Sequence, residues 1–187
     1  RYNVADVQAG RGTCVYVAEN GFFKGRIELG DKVKPGTVEA LKTLQNGLVH
    51  QVVMLSGDSI SAAEKTAYEL HIKHVYAGLL PADKVEILEK LISGTPNGLA
   101  TAFVGDGIND APVLERADLG IAMGGLGSDA AIEAADVVLM TDEVKKIVSA
   151  IKISRKTLRV IKQNIVFALV IKAGVLALGA AGLANMW

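Results

Sequence analysis

The sequence predicts an α/β fold, a Rossmann-like parallel sheet followed by a transmembrane helix, on three observations. From "QVVML" at 51–55 onward, short apolar runs alternate with amphipathic stretches of helical length, the pattern of a parallel sheet built from crossover units. One of those runs, Ala100 to Val104, stops abruptly at Gly105 and is followed by Asp106 and Asp110 among Gly107, Asn109 and Pro112. Carboxylates at the carboxyl end of a doubly covered strand lie where open α/β sheets hold their ligands. Finally, Ile165 to Met186 is apolar except for Lys172.

The elements follow in order. Residues 1–29 form an antiparallel piece, with strands "TCVYVA" and "FKGRIEL" joined at Asn20-Gly21, a dipeptide suited to a two-residue hairpin turn. Within 30–150, "QVVML" is a strand, "SISAAEKTAYEL" a helix, "HVYAG" a short strand and "PADKVEILEKLI" a helix with Pro81 in its first turn. "LATAFV" is the next strand, then the short helix "DAPVLERA", the strand "LGIAM", the helix "SDAAIEAA" and the last strand "VVLM". From Asp142 a helical pattern runs through 151–187 into the apolar stretch. No internal repeat or low-complexity linker appears.

Composition narrows the function classes. The chain has 187 residues, 50% of them hydrophobic, enough for one medium domain. Lys plus Arg equals Asp plus Glu at 20 each, so no global field favours nucleic acid. Cys14 is the only cysteine, which excludes an internal disulfide or a CxxC site within these residues. "RYNVADVQAGRGT" has no apolar signal core and no initiator Met, so a piece of a longer protein is expected.

The positive mean hydropathy comes from the C-terminal end. Residues 165–186 form about 33 Å of helix at roughly 1.5 Å per residue, enough for a hydrocarbon core of about 30 Å. Arg155, Lys156, Arg159 and Lys162 precede the stretch, which places residues 1 to about 160 in the cytoplasm and Trp187 at the far interface. A buried helix of a large soluble core is the alternative. Gly174, Gly179, Ala180, Ala181 and Gly182 suit close helix packing in lipid.

Loops at one sheet edge carry the reactive groups. Ser56-Gly57-Asp58 offers a hydroxyl and backbone amides at a helix start, suited to a phosphate oxygen. Asp106 and Asp110 are hard oxygen ligands of the kind that hold Mg²⁺ with substrate phosphates. Lys84 stands in a first helical turn, where the macrodipole disfavours a cation. Each has a plain structural alternative: Ser56 as a helix cap, Lys84 as a solvated charge, Asp58 or Asp110 as a capping carboxylate, Gly105 and Gly107 as positive-φ turn residues. Together they resemble a phosphoryl-transfer site. "MGGLGSD" at 123–129 reads as a structural strand-to-helix turn, since it lacks the spacing of a dinucleotide or P-loop fingerprint. Gly10-Arg11-Gly12 is given no ligand.

"MLSGDS", "PADK" and "VGDGINDAPVLERADLGIAMG" followed by "EAADVVLM" resemble the phosphorylation domain of P-type ATPases, members of the haloacid dehalogenase-like superfamily. The resemblance covers about Gly12 to the chain's end. It implies that Asp106 coordinates Mg²⁺, that Asp110 and Asn109 support the metal and the phosphoryl group, and that Lys84 contacts an aspartyl phosphate. Ser56 stands where the family more often has Thr, and Gly57 and Asp58 would lie near ATP. Residues 1–29 would be the last strands of the nucleotide-binding domain, 30–150 the phosphorylation domain, and 151–187 a linker and membrane helix. The family's nucleophile, the Asp of a DKTGT string, has no counterpart in this sequence, so these residues alone are expected to form no phosphoenzyme.

"QNIVFALVIKAG" resembles the subgroup that exports Zn²⁺, Cd²⁺ and Pb²⁺, in which a lysine at the place of Lys172 lies near the metal path; copper pumps carry Tyr-Asn in this helix. A lysine inside a span costs roughly 2.5 to 3.5 kcal/mol on insertion scales, so it faces a partner or polar path. The implied partners are ATP, a divalent heavy-metal ion, the bilayer and the remaining domains of the pump. Two alternatives stand beside this reading: a phosphatase of the same superfamily, which needs an Asp-x-Asp pair that is not visible, and a non-catalytic, membrane-tethered module binding Mg²⁺ or phosphate.

Overall fold

The structure is a computed structural model that describes residues 13–29, 32–105, 110–124 and 129–182. It opens with an antiparallel hairpin, β1 (Thr13–Glu19) and β2 (Phe22–Leu29). The turn follows from Asn20 and Gly21, whose φ values of 50 and 86° are both positive, as a type I′ turn requires. A bulge between Val17 and Ala18 shifts the register, so that Val17 faces Gly25 and Ala18 faces Phe23. Tyr16, Val17, Phe22 and Phe23 all remain exposed, so neither face of the hairpin is covered. A two-stranded ribbon of this kind is marginal by itself.

Helix α1 (Thr37–Gln45) follows. Sequence reasoning did not anticipate it, although Ala40, Leu41 and Leu44 form its buried stripe at helical spacing. Gly36, at φ 79°, supplies the left-handed N-cap. The remaining elements alternate: β3 (Val53–Leu55), α2 (Ile60–Glu69), β4 (His74–Tyr76), α3 (Pro81–Ser93), β5 (Ala102–Gly105), α4 (Ala111–Arg116), β6 (Leu119–Met123), α5 (Asp129–Ala134) and β7 (Val137–Leu139). The expected strands and helices are there, with β3, β4 and β7 trimmed, β6 unchanged, and β5 starting later but reaching Gly105.

All these later strands pair in parallel, but in two sheets rather than one. β3 pairs with β4, Val53 opposite His74 and Leu55 opposite Tyr76. β5, β6 and β7 form the second sheet, with Val104 opposite Ile121 and Ala122 opposite Val138. Among the described residues no strand bridges β3 and β5. Each therefore presents one edge whose amides and carbonyls have no ladder partner.

The core is small and close-packed. Leu114 and Ala122 are buried with Phe103, Ala134, Ala135 and Val138 against them, and Leu88 and Val113 are fully covered. α4 presses onto β6 at Gly120, where an added Cβ would lie 2.6 Å from the Leu114 carbonyl oxygen. Two carboxylates close the ends of this sheet. The Thr101 amide donates to Asp118 at 2.8 Å, and the Gly120 amide donates to Asp136 at 2.8 Å while the Asp136 amide returns a bond to the Gly120 carbonyl.

The chain divides into two compact units, 1–146 and 147–187. The second is built on α6 (Lys145–Ala180), an unbroken helix of 36 residues that is long and apolar enough to cross a membrane.

Candidate active site

The β3–α2 loop begins as β3 loses its neighbour. The Ser56 amide still donates to the Tyr76 carbonyl at 2.9 Å, extending the pairing with β4 by one bond. Ser56 is buried, and its hydroxyl donates to Asp58 Oδ2 at 2.9 Å while accepting from the Asp58 amide at 3.1 Å. This closed local ring replaces the cap considered for Ser56: the N-cap of α2 is Ser59, which makes no side-chain capping bond. The loop is knitted to the one after β4, since Leu79 donates to the Ser56 carbonyl at 3.1 Å and Gly78 to the Asp58 carbonyl at 2.8 Å. Gly57 is small for contact: a Cβ there would sit 3.3 Å from the Leu79 carbonyl oxygen.

The second loop leads directly into α3. Pro81 opens the helix, and Asp83 accepts from the Leu80 amide at 2.9 Å, half of a capping box with the acid at the favourable end of the dipole. One residue on, Lys84 reaches out of this first turn, and its ammonium lies 2.7 Å from Asp110 Oδ1. The side chains are only 17% and 13% exposed. Lys84 is thus no solvated surface charge, and its awkward place against the dipole is offset by a partly desolvated carboxylate.

Asp110 occupies the N-cap position of α4 yet makes no capping bond with its side chain. Its carboxylate turns instead toward Lys84 with one oxygen, while the other lies over Gly105. A Cβ at Gly105 would be 2.9 Å from Asp110 Oδ2 and 3.0 Å from Phe103 Cε1. Gly105, the last residue of β5, is not among the positive-φ glycines. The turn role considered for it is therefore corrected: glycine is required there for room, because the carboxylate folds back onto the strand end.

Asp106, Gly107 and Asn109 lie outside the described residues. Among the described residues no group of three or more His, Cys, Asp or Glu gathers into a metal cage. Mg²⁺ does not need one, because it retains several waters and takes one or two carboxylates together with substrate phosphate. The buried, hard Asp110 carboxylate, held over the space that Gly105 leaves open, fits that donor chemistry. In "MGGLGSD", Gly124 has φ 91°, a left-handed conformation that favours glycine, and lies against the exposed Asp142 side chain, a Cβ falling 2.6 Å from its Oδ1; Gly125 to Ser128 and Gly10 to Gly12 lie outside the described residues. Lys172 is on α6, in the other unit.

The Lys84–Asp110 contact joins groups 26 residues apart, and no spacing in the sequence signals it. The same holds for Asp118 and Asp136, whose amide contacts reveal them as sheet-end caps. Their only sequence signal is position beside a strand.

Known proteins similar to this chain are named as metal-transporting ATPases. The zinc-transporting ATPase of Synechocystis sp. is 51% identical over 177 residues, 94% of this chain and 24% of that protein. The cadmium, zinc and cobalt-transporting ATPase of Bacillus subtilis is 50% identical over 176 residues, 94% of this chain and 25% of that protein. A probable copper-exporting P-type ATPase of Archaeoglobus fulgidus is 44% identical over 171 residues, 91% of this chain and 20% of that protein. The chain thus spans about a quarter or less of the length of these relatives. Among solved structures, a zinc-transporting PIB-type ATPase in its E2.Pi state superposes with a TM-score of 0.79 at 39% identity, covering 95% of this chain and 28% of that one. The profile of the haloacid dehalogenase-like hydrolases matches residues 1–118, and with the parallel sheets and the carboxylate at the end of β5 this makes the chain a member of the haloacid dehalogenase-like hydrolase family.

Proposed function

We propose that this chain is the phosphorylation-domain part, with one following membrane helix, of an ATP-driven pump exporting Zn²⁺, Cd²⁺ or a similar divalent heavy metal through an aspartyl phosphate. The observation that carries it is the partly buried Lys84–Asp110 pair, whose lysine follows the loop that is hydrogen-bonded to the one holding the Ser56 hydroxyl. A cation paired with a carboxylate, and a hydroxyl on the neighbouring loop, are the groups that phosphoryl transfer demands, since catalysis there is positioning and charge stabilisation.

The roles follow from the groups. Lys84 offsets the charge of the transferred phosphoryl and Ser56 donates a hydrogen bond to one of its oxygens. Asp110, with Asp106 and Asn109, would hold Mg²⁺, which when bound neutralises charge on the phosphate oxygens. Asp110 also fixes the Lys84 ammonium, so that the cation is in place before substrate arrives. Gly57 and Asp58 shape the wall nearest the nucleotide.

The nucleophilic aspartate comes from outside these residues. The free edges of β3 and β5 support this reading: a further parallel strand between them would complete one sheet, with its carboxyl end beside Ser56, Lys84 and Asp110. The uncovered hairpin β1–β2 asks for further strands in the same way. α6 would carry the chain from the cytoplasm into the bilayer, with the Arg155 to Lys162 cations on the inner side.

The ion class rests on Lys172 and on what the zinc and cadmium relatives are named for; identity to the copper exporter is nearly as high, so overall likeness does not choose. Acid-stable phosphoenzyme formed by the intact pump from labelled ATP and Mg²⁺, titrated with Zn²⁺, Cd²⁺ or Cu⁺, is the test. Stimulation by Zn²⁺ or Cd²⁺, lost in Asp106→Asn, is expected. No phosphoenzyme with any of these ions in folded protein would leave a tethered Mg²⁺- or phosphate-binding module.

A further inference from the structure

We propose that the basic face of α6 just before the apolar stretch is a binding site for anionic phospholipid of the cytoplasmic leaflet. The inference rests on α6 spanning the membrane and concerns what lies at its inner end. After Glu143 the sequence contains no Asp or Glu at all, while Lys152, Arg155, Lys156, Arg159 and Lys162 follow within α6. At 3.6 residues per turn these five side chains fall within an arc of about 120°. Ile153, Thr157 and Ile161 occupy the opposite side, and all these residues are exposed.

Depth decides which cations matter. With the apolar stretch starting at Ile165, Lys162 and Arg159 stand about 4.5 and 9 Å before it along the axis. The headgroup layer is about 5–7 Å thick on each side of the hydrocarbon core, so both side chains reach phosphodiester level without strain. Lys156, about 13.5 Å out, is within a Debye length of about 8 Å from the headgroup plane; Lys152, about 19.5 Å out, is beyond it.

The same face then turns apolar. A shallow concavity on it is lined by Arg159, Lys162, Val166, Phe167 and Val170, among others. Cations placed directly above exposed aliphatic and aromatic side chains match the outline of a phospholipid, phosphate above and acyl chain below. An acidic protein segment accounts for the cations but not for their apolar continuation. Each cation near an anionic membrane surface multiplies partitioning by about fivefold.

The test uses the intact pump in phosphatidylcholine bilayers doped with spin-labelled phosphatidylcholine or spin-labelled phosphatidylglycerol, reading the motionally restricted fraction of each. A several-fold preference for phosphatidylglycerol is expected, weakened by high salt, brought near parity in R159Q/K162Q and kept in K152Q. Equal restriction of both lipids by the wild type overturns the proposal while leaving the span intact. If R159Q/K162Q then still lowers thermal stability, the face docks an acidic protein segment instead. A phosphatidylglycerol preference unchanged in R159Q/K162Q, or lost equally in K152Q, also overturns it. No restricted component for either lipid removes the membrane span itself, and the lipid site with it.

Discussion

The ammonium of Lys84 and the carboxylate of Asp110 meet at 2.7 Å across two different loops, and this contact ties the start of α3 to the start of α4. A second, exposed tie lies farther along the same two helices, Arg116 to Glu89 at 2.6 Å. Only the first is desolvated enough to matter. Removing one member of such a pair strands the other, at a cost of about 1–3 kcal/mol. Lys84→Met and Asp110→Asn should each lower stability by about that much in urea unfolding, while the double substitution costs clearly less than their sum. Strict additivity would show that the two groups are not coupled.

Gly105→Ala probes the same carboxylate from below. The new Cβ would crowd Asp110 Oδ2 and the Phe103 ring, an overpacking of about 1–3 kcal/mol. Because Asp110 must move, phosphoenzyme formation by the intact pump should fall more than stability accounts for. Gly25→Ala is the matched control, since nothing lies within 4 Å of its Cβ position. Equal behaviour of the two variants would remove the argument that Gly105 makes room for the carboxylate.

Ser56 is held in a local ring with Asp58. Ser56→Thr keeps the hydroxyl and should retain most activity, although the buried site must accept one more methyl group. Ser56→Ala should reduce phosphoenzyme turnover by about tenfold or more, in proportion to a lost hydrogen bond to a charged oxygen of about 1.5–3 kcal/mol. Activity of Ser56→Ala equal to that of the wild type would assign the hydroxyl to loop structure alone.

The fold was legible where side-chain pattern alone decides. Strand β6 and helix α3 stand where "LGIAM" and "PADKVEILEKLI" place them, give or take a residue. β3 is shorter than "QVVML" because only Val53 to Leu55 find partners on β4, and pairing is a property of the neighbour. α1 escaped notice because its stripe is short and follows Pro35-Gly36, which reads first as a turn. The site was legible as a set of residue types, since Ser56, Lys84 and Asp110 are each unusual where they stand. Their arrangement was not, because a contact across 26 residues depends on how two crossovers pack. The division into two sheets was equally hidden, because which strands pair depends on neighbours far apart in the sequence.

Exposure separates the site pair from a similar contact elsewhere. Lys34 and Asp142 also approach to 2.8 Å, but their side chains are 61% and 59% exposed. Water and salt screen such a pair to about 0–1 kcal/mol. Lys34→Ala should therefore change the urea midpoint little at low salt and not measurably at high salt. A loss as large as that of Lys84→Met would mean that the linker before α1 is held far more tightly than its exposure implies.

Gly120→Ala tests the seam between α4 and β6, on which the position of Asp110 depends. The Cβ would fall 2.6 Å from the Leu114 carbonyl oxygen and 3.1 Å from its carbonyl carbon. These are backbone atoms of a buried residue, so no rotamer change relieves the clash. Either α4 shifts outward or β6 bends, and both open the packing around Ala122 and Phe103. Because the Gly120 amide and carbonyl are both engaged with Asp136, bending the strand also strains those bonds. The expected loss is about 1–3 kcal/mol or more, read as a lower urea midpoint with an unchanged slope. Stability within about 0.5 kcal/mol of the wild type, the range of ordinary surface changes, would show that α4 slides freely on the sheet, and would undercut the preorganisation assigned to Lys84 and Asp110.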